Sequence, residues 1–568
     1  MASAGVTVRS TPTGAGPRAA PDRGWDAALA GVAAGAVTVG TAELLAGLLL
    51  RVLGGQGTPS PLLAVGGAFV DLTPHWLKDW AVATFGTADK VALGVGIGLT
   101  LVVLAALVGR LGLISRAASL ALLGLLGLVA LGAVVSRPSF APLDLVPTLV
   151  GLALGAGVLW VLLGRLRAAS VPRATGDTDG PGATGDTDGP GATGDTDGPA
   201  RHTHPDAVRA PEGARPTRRS VLGVAAGLGT LGVLAVVAGQ ALARTGRATS
   251  DAVARLGLPT PRRSVRVPAD ALADVPGQTA YLTPNEEFYR IDTALFAPRV
   301  DVGRWRLRVT GMVDREVEMD WAELLAQDHV EALVTLACVS NTVGGDLVGN
   351  ARWTGWPVRE LLARAGVQPG ADMVLSRSVD GFTAGTPLEV LTDDRDALVA
   401  VAMNGEPLPV EHGYPARLVV PGLYGYVSAT KWVTELKVTR FDADEGYWTP
   451  RGWSARGPVK TASRIDVPRG EVASGAVTVA GVAWAQHRGI SKVEVRVDDG
   501  VWSQATLRAE PTVDAWRLWT WEWPDAEPGE HTLTVRATDG TGELQTEEVA
   551  PPAPDGASGW HSVRVAVR

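Results

Sequence analysis

Residues 335–345 read TLACVSNTVGG: an apolar run, then Cys338, then a polar loop that ends in Gly344 and Gly345. Cys338 is the single cysteine of 568 residues, in a chain with 18 tryptophans. One cysteine excludes an intrachain disulfide, a Cys-rich zinc site, an iron–sulfur cluster and a C-x-x-C-H haem attachment. Read alone, such a thiol is a small buried hydrophobe. A loop after a buried strand is also a place where a rigid scaffold can present a functional group at a cleft, and the cysteine alone leaves both readings open.

Around this stretch, from about residue 279 to 438, short apolar runs alternate with turns and brief helices. RWRLRVTGMV reads as a strand ending in a glycine turn, and EALVTLACVSN as a buried strand that ends at Cys338. DWAELLAQ has an aspartate cap and helical spacing. WPVRELLARAGV is amphipathic, with Pro357 near its first turn and Gly366 near its end. PARLVVPG and ATKWVTELKVTR are again strands. The pattern predicts a mixed α/β domain, not a regular βαβ repeat. After residue 440, TVAGVAWA, KVEVRVDDG, WRLWTWEW and HTLTVRATDG alternate between Asp–Gly and Pro–Gly turns. That pattern predicts an all-β immunoglobulin-like sandwich. Trp516, Trp519, Trp521 and Trp523 alternate poorly. They either fill the sandwich core or turn in part toward a partner.

The first 164 residues are nearly all Ala, Gly, Leu and Val. Four stretches reach the roughly 20 residues a bilayer span needs: Ala27–Leu49, Val91–Val108, Leu111–Val135 and Leu145–Leu163. A fifth runs from about Val221 to Ala243, whereas Pro61–Val70 is too short to span. Trp76 and Trp80 suit a membrane interface. Arg9, Arg18 and Arg23, Arg110 and Arg116, and Arg165, Arg167 and Arg173 all fall on one side if the N-terminus is cytoplasmic, as the positive-inside rule requires. Glu43 is an ionisable residue within the first span, and is either functional or a structural hydrogen-bond partner. It makes no substrate path alone, so a transporter is a weak reading. A single histidine near these spans, His75, cannot supply a bis-histidine haem. The net charge of −8 gives no reason to propose nucleic acid as a partner.

Between the fourth and fifth spans a nine-residue repeat, ATGDTDGPG, offers almost nothing to bury. It reads as a solvated, disordered linker in preference to a calcium site. Arg218–Arg219 then precede a moderately apolar, glycine-rich segment. The pair resembles a twin-arginine export signal; a plain stop-transfer anchor is the alternative. Ala241 and Ala243 form an A-x-A-like pattern, but small residues are so common here that retention of the fifth segment is the expectation.

TPNEEFYRID (283–292), CVSN (338–341), ARWTG (351–355), MNGEPLPVEHGYPARLVVPG (403–422) and TKW (430–432) occur in order over about 150 residues. Together they resemble the molybdopterin domain of the sulfite oxidase family. The resemblance implies a Mo-molybdopterin cofactor with Cys338 as the protein's thiolate ligand. It places Arg290 and Asp380 with Cys338 at the reacting centre. It assigns the pterin and its phosphate to Asn285, Phe288, Tyr289, Asn341, His412, Arg417, Thr430 and Lys431. Arg417 offers a planar fork suited to phosphate. Two departures concern the substrate. The family carries an arginine shortly after the Cys loop, where this chain has TVGG, and a tyrosine before a later turn, where this chain has Phe382. ASRIDVPRG leading to GVAWAQHRGISKVEVRVDDGVW resembles the family's C-terminal dimerisation domain.

The expected architecture is multi-domain: N-terminal transmembrane α-helices, a mixed α/β sulfite-oxidase-like molybdopterin domain, and the immunoglobulin-like sandwich. The boundaries are a cytoplasmic tail (1–26), a four-helix membrane region (27–164), a disordered cytoplasmic linker (165–217), a twin-arginine-type fifth segment (218–243), the molybdopterin-binding oxidoreductase domain (260–440) and the immunoglobulin-like domain (455–568). The expected function is that of a membrane-anchored oxidoreductase outside the cytoplasmic membrane. It would transfer an oxygen atom on a small substrate and exchange electrons with a separate carrier, with a homodimer formed through the C-terminal domain. The alternative is a non-catalytic surface binding protein built on the same fold.

Overall fold

The structure is a computed structural model. It describes residues 23–52, 59–74, 77, 84, 89–137, 140–169, 217–244 and 257–568, apart from 273, 295, 296 and 299. His75, Trp76, Trp80, Arg9, Arg18, Arg173 and the ATGDTDGPG repeats lie outside the described residues. Chain contacts divide the protein into two compact units. One comprises residues 1–41, 96–128 and 149–236; the other comprises 42–95, 129–148 and 237–568.

Among the described residues, five helices are long and apolar enough to cross a membrane. They are α1 (Arg23–Val52), α3 (Asp89–Ile114), α4 (Arg116–Val135), α5 (Leu145–Ala169) and α6 (Arg218–Arg244), with the shorter α2 (Pro61–Leu72) between the first two. The break between α3 and α4 falls at Ser115, not between Val108 and Leu111 as the sequence suggested. Ser115 explains the shift, because its hydroxyl accepts the Ala118 N–H at 3.2 Å and caps α4. In the first unit, Gly232 of α6 lies against Ala36 of α1, so that a β-carbon there would sit 2.9 Å from that of Ala36. In the second unit, a β-carbon on Gly47 of α1 would lie 3.1 Å from the α-carbon of Gly239 in α6. Small residues permit this backbone approach. Glu43, also in the second unit, accepts the Ser60 hydroxyl at 2.7 Å and the Leu62 N–H at 3.2 Å on Oε1. Its Oε2 accepts Gln240 Nε2 at 2.9 Å.

The rest of the second unit is built from strands. β1 (Arg306–Gly311), β2 (Val317–Asp320), β3 (Val330–Ala337), β4 (Val348–Pro357), β5 (Met373–Ser378), β6 (Thr383–Pro387), β7 (Leu398–Met403), β8 (Glu406–Pro407), β9 (Arg417–Val419) and β10 (Val433–Thr439) form two sheets. Their orders are β2-β1-β10-β5-β6 and β3-β4-β7-β8, with β9 paired to β7. The mixed α/β reading holds: Asp320 caps a one-turn helix, Trp321–Leu325, through the Glu323 N–H at 2.9 Å. An amphipathic helix, Val358–Ala365, ends at Gly366. ATKWVTELKVTR is shorter as a strand than the sequence suggested, because β10 starts only at Val433. Trp432, with φ of 53°, turns the chain there.

Residues 462–567 form two further sheets. β11 (Ala462–Val467), β13 (Gly475–Trp484), β16 (Thr506–Leu507) and β17 (Arg517–Ala526) make one. β12 (Gly470–Val472), β14 (Ile490–Val497), β15 (Ser503–Gln504), β18 (Gly529–Asp539) and β19 (His561–Val567) make the other. Both contribute to one apolar core, which takes in Trp519, Trp521 and Trp523. Spaced two apart on β17, these rings share a face. Trp516 is buried in a separate cluster with Tyr281, Leu333 and Ala337. Trp516, Trp519 and Trp523 therefore fill cores, and Trp521 is half-buried against one.

One packing relationship positions the functional loop. β3 is an edge strand paired only with β4 in its sheet, and an edge needs cover. Residues of the C-terminal β region supply it. Thr335 N–H donates to Asp514 O at 3.0 Å, and Gln486 Nε2 donates to Thr335 O at 3.0 Å. The Trp516 N–H donates to the Thr335 hydroxyl at 2.7 Å.

Candidate active site

β3 ends at Ala337 and delivers Cys338 into a tight loop. The Cys338 N–H donates to Leu347 O at 2.9 Å, and Asn341 N–H donates to Cys338 O at 3.1 Å. The Asn341 side chain accepts the Leu347 N–H at 2.9 Å. Asn341 therefore shapes the loop and does not face the cleft. Cys338 is 8% exposed. Burial pushes its thiol pKa up, against weaker opposition from the Ser340 backbone and hydroxyl.

Cys338 lines an open cleft. Its lining is partly aromatic, with Phe382, Tyr426, Trp448 and Trp453. The same lining carries Tyr289, Asp292, Asp380, His412, Arg417 and Lys431, with Phe288 among them.

Arg417, at the start of β9, is 5% exposed and lies over the Trp353 ring at 5.0 Å. Its hydrogen bonds go to carbonyls alone: His412 O at 3.2 Å, Leu418 O at 3.3 Å and Ala429 O at 3.4 Å. No carboxylate pairs with it among the described residues. Burial lowers its pKa to about 10. A buried cation held by neutral acceptors is a half-made anion site, because leaving it unpaired is costly. His412 Nε2 lies 2.8 Å from Asn285 O. A carbonyl only accepts, so Nε2 carries the proton and Nδ1 is the acceptor. Burial, and secondarily Arg417, hold the His412 pKa down at about 4, so the ring is neutral.

Lys431 Nζ donates to Asp292 Oδ2 at 2.8 Å and to Glu411 O at 3.2 Å. Burial lowers its pKa to about 8, against the opposing charge of Asp292. Burial also raises the carboxyl of Asp380, with the Ser378 hydroxyl and Phe382 N–H opposing. The Tyr289 phenol is pushed up by burial and by its neighbour Cys338. Phe288 stacks on Tyr289 at 5.3 Å and meets Trp353 edge-on at 5.7 Å.

Four sequence-chosen residues do not line the cleft. Asn285 accepts Asn404 Nδ2 at 2.9 Å, so its side chain ties the opening segment to the β7–β8 turn. Thr430 is fully buried and bonds the Ser376 hydroxyl at 2.7 Å. Asn341 is occupied in the Cys loop. Arg290 is exposed at the rim, with Nε donating to Asp292 at 3.0 Å. The sequence reading in turn passed over Asp292, Tyr426, Trp448 and Trp453. The two tryptophans lie in GYWTPRGW (446–453), between the expected domain boundaries, where aromatic density was the available signal.

The description of one family, the oxidoreductase molybdopterin binding domain, fits residues 294–448. Sulfite oxidase of Gallus gallus is 28% identical over 334 residues, covering 50% of this chain and 71% of that protein. The mitochondrial sulfite oxidase of Homo sapiens is 31% identical over 323 residues, 48% of this chain and 58% of its own length. The uncharacterized oxidoreductase YuiH of Bacillus subtilis is 32% identical over 157 residues, 28% of this chain and 76% of that protein. This chain belongs to the sulfite oxidase family of molybdopterin oxidoreductases. Membership implies a Mo-molybdopterin cofactor, and the residues fit one. The cleft lining includes both a soft sulfur donor and a buried guanidinium without a carboxylate. Those are the needs of a thiolate-bound metal and an anionic phosphate. The chain spans only 58% of the human relative's length.

Proposed function

We propose that this family member is anchored in a membrane and acts outside the cytoplasm. It would transfer an oxygen atom on a small, neutral S-oxide, and its electrons would pass to or from a separate carrier. The observation that carries this reading is the cleft that joins Cys338 to the unpaired Arg417. In the reducing direction, an S-oxide plus two electrons and two protons gives the thioether and water. When bound, the cofactor supplies the metal that accepts and releases the oxygen atom. Cys338 would hold that metal. Arg417 and Lys431 would bind the phosphate end, and Tyr289, Phe288 and neutral His412 would fix the pterin.

Asp380 is the group suited to hold a proton at the reacting centre, because burial favours its neutral form. Substrate choice follows from charge. A sulfite dianion in a dry pocket needs cations. Arg290 already shares Asp292 with Lys431, the loop after Cys338 has none, and much of the remaining lining is aromatic.

The five apolar helices support the anchor. Arg218–Arg219 at the start of α6 support export by the twin-arginine route, and the basic residues support a cytoplasmic N-terminus. The two-sheet C-terminal region supports an immunoglobulin-like dimerisation domain.

The test is metal analysis of the purified full chain, followed by assay with an artificial electron carrier on sulfite and on a panel of sulfoxides. Stoichiometric molybdenum and a higher kcat/KM for a sulfoxide are expected. A chain without molybdenum would be the non-catalytic binding protein. A higher kcat/KM for sulfite than for every sulfoxide would overturn the substrate reading.

A further inference from the structure

The Cys338 loop is gripped from outside its own domain. Arg464, on β11, is buried, and its guanidinium reaches three segments at once. Nη1 donates to Gly345 O at 2.7 Å, within the loop. Nη2 donates to the Thr279 hydroxyl at 2.8 Å, and Nε to Asp466 Oδ1 at 2.8 Å. The other oxygen of Asp466 accepts the Thr279 N–H at 3.0 Å, which closes the ring. The side chains of this pair are 8% and 4% exposed.

His561, on β19, lies directly against Gly344, whose φ is +76°. Its Nδ1 accepts the Ile465 N–H at 3.0 Å. The loop is thus pressed by one imidazole and pinned by one guanidinium. A charged donor on a buried carbonyl is among the stronger hydrogen bonds a protein makes.

We infer that Arg464 is a positioning residue for the metal centre: through Gly345 O it fixes the loop that presents the Cys338 sulfur to the cleft. The inference rests on the reading of Cys338 as the metal's ligand. Its experiment nevertheless works without metal. An interdomain link needed only for cohesion could end on any surface of the α/β domain. This one ends on the main chain of the Cys338 loop. β3, which leads into that loop, is held by the same region through Thr335. The C-terminal β region would then be a working part of the site.

Because Cys338 is the only thiol in the chain, its alkylation reports this site alone. The full chain, prepared in detergent from cells unable to make the cofactor, is treated with a maleimide under native conditions. Arg464→Met with Asp466→Asn removes the clasp and leaves no buried charge. Its alkylation rate should rise about tenfold, the change in local opening that losing one charge-assisted hydrogen bond permits. Arg464→Lys, which keeps one charged donor, should restore most of the protection. Thr279→Val loosens the guanidinium but leaves its ion pair whole. It should raise the rate by a smaller factor, and it carries the test if the double variant fails to fold.

Hydrogen exchange should rise within residues 340–347 and not throughout the C-terminal region. In the molybdenum-loaded protein, the Mo(V) paramagnetic spectrum should shift, with kcat falling more than KM changes. Wild-type alkylation in the folded variants, or exchange raised evenly over the whole region, would overturn the inference. Raised alkylation in a chain that never binds molybdenum would keep the clasp and sink the cofactor assignment.

Discussion

Lys431 and Arg290 share one carboxylate. Lys431 Nζ lies 2.8 Å and Arg290 Nε 3.0 Å from the same Asp292 oxygen, on a side chain 3% exposed. Among the described residues, both cations lie against this one buried anion. Lys431, only 10% exposed, is the member whose charge burial can remove.

The first prediction is a pH limb. Burial lowers the Lys431 pKa to about 8, so the cation is present below that value and lost above it. Turnover of the loaded enzyme should fall as pH rises through about 8. Lys431→Arg should move the limb upward, because a guanidinium stays charged. Stability should run the other way. An unfolded lysine holds its proton up to about 10.4, so between the two values the unfolded chain binds more protons and folding stability rises with pH. A pH–rate profile and thermal melts from pH 7 to about 10 check both signs. A limb left in place by Lys431→Arg would assign it to another group.

Cys338→Ser should leave the fold intact, because a hydroxyl of similar size replaces a buried thiol at the end of β3. It should lose molybdenum and turnover together, since oxygen is a poor replacement for soft sulfur. The drop should exceed the roughly 100-fold that even outer-shell changes can cost a metal site. Metal content, and near-ultraviolet circular dichroism as the folding control, decide it. Full activity would remove Cys338 from the site.

Arg417→Met separates binding from stability. The guanidinium is buried on carbonyls without a carboxylate, so the cofactor-free protein gains little from the charge. The melting temperature of the cofactor-free chain should hold or rise. The increase that cofactor loading gives wild type should largely vanish, because a ligand stabilises only in proportion to its affinity for the folded state. A cofactor-free chain that melts far lower, with the loading increase intact, would make Arg417 a purely structural residue.

How much of this was legible beforehand depended on whether the signal was local. The strand before Cys338, the Asp320 cap and the helix ending at Gly366 follow from spacing and capping chemistry, which neighbouring residues settle among themselves. Arg417 and Lys431 stood in motifs, and both line the cleft. Trp448 and Trp453 did not stand in motifs. They line the cleft from the connector between the two regions, and no short-range pattern records that. Asp292 was inside a quoted motif, but its value lies in pairing with Lys431, 139 residues away. Arg464 stood in ASRIDVPRG, a stretch that resembles the dimerisation domain, and nothing local ties it to the Cys338 loop. Thr430 shows the converse. A motif placed it at the pterin, whereas its hydroxyl is spent on Ser376 in the core.

The last prediction concerns α6. The A-x-A-like pattern at Ala241 and Ala243 invites cleavage, which would free everything after it. The packing argues for retention. Gln240 Nε2 holds Glu43 Oε2 at 2.9 Å, and a β-carbon on Gly239 would meet Leu44 N at 2.7 Å, so the end of α6 lies against the α1 backbone. A carboxylate inside an apolar segment is costly unless its oxygens are used, and all of Glu43's recorded partners lie on α6 or at the start of α2. Washed membranes should therefore contain an intact chain of the calculated 58.8 kDa. Glu43→Ala with Gly47→Leu removes the clasp and the close approach together. It should loosen α6 from α1, seen as loss of a disulfide engineered between the two helices in a Cys338→Ser background. A free fragment beginning near Arg244 in wild-type cells would show that the segment is a removable signal and that its contacts with α1 do not persist.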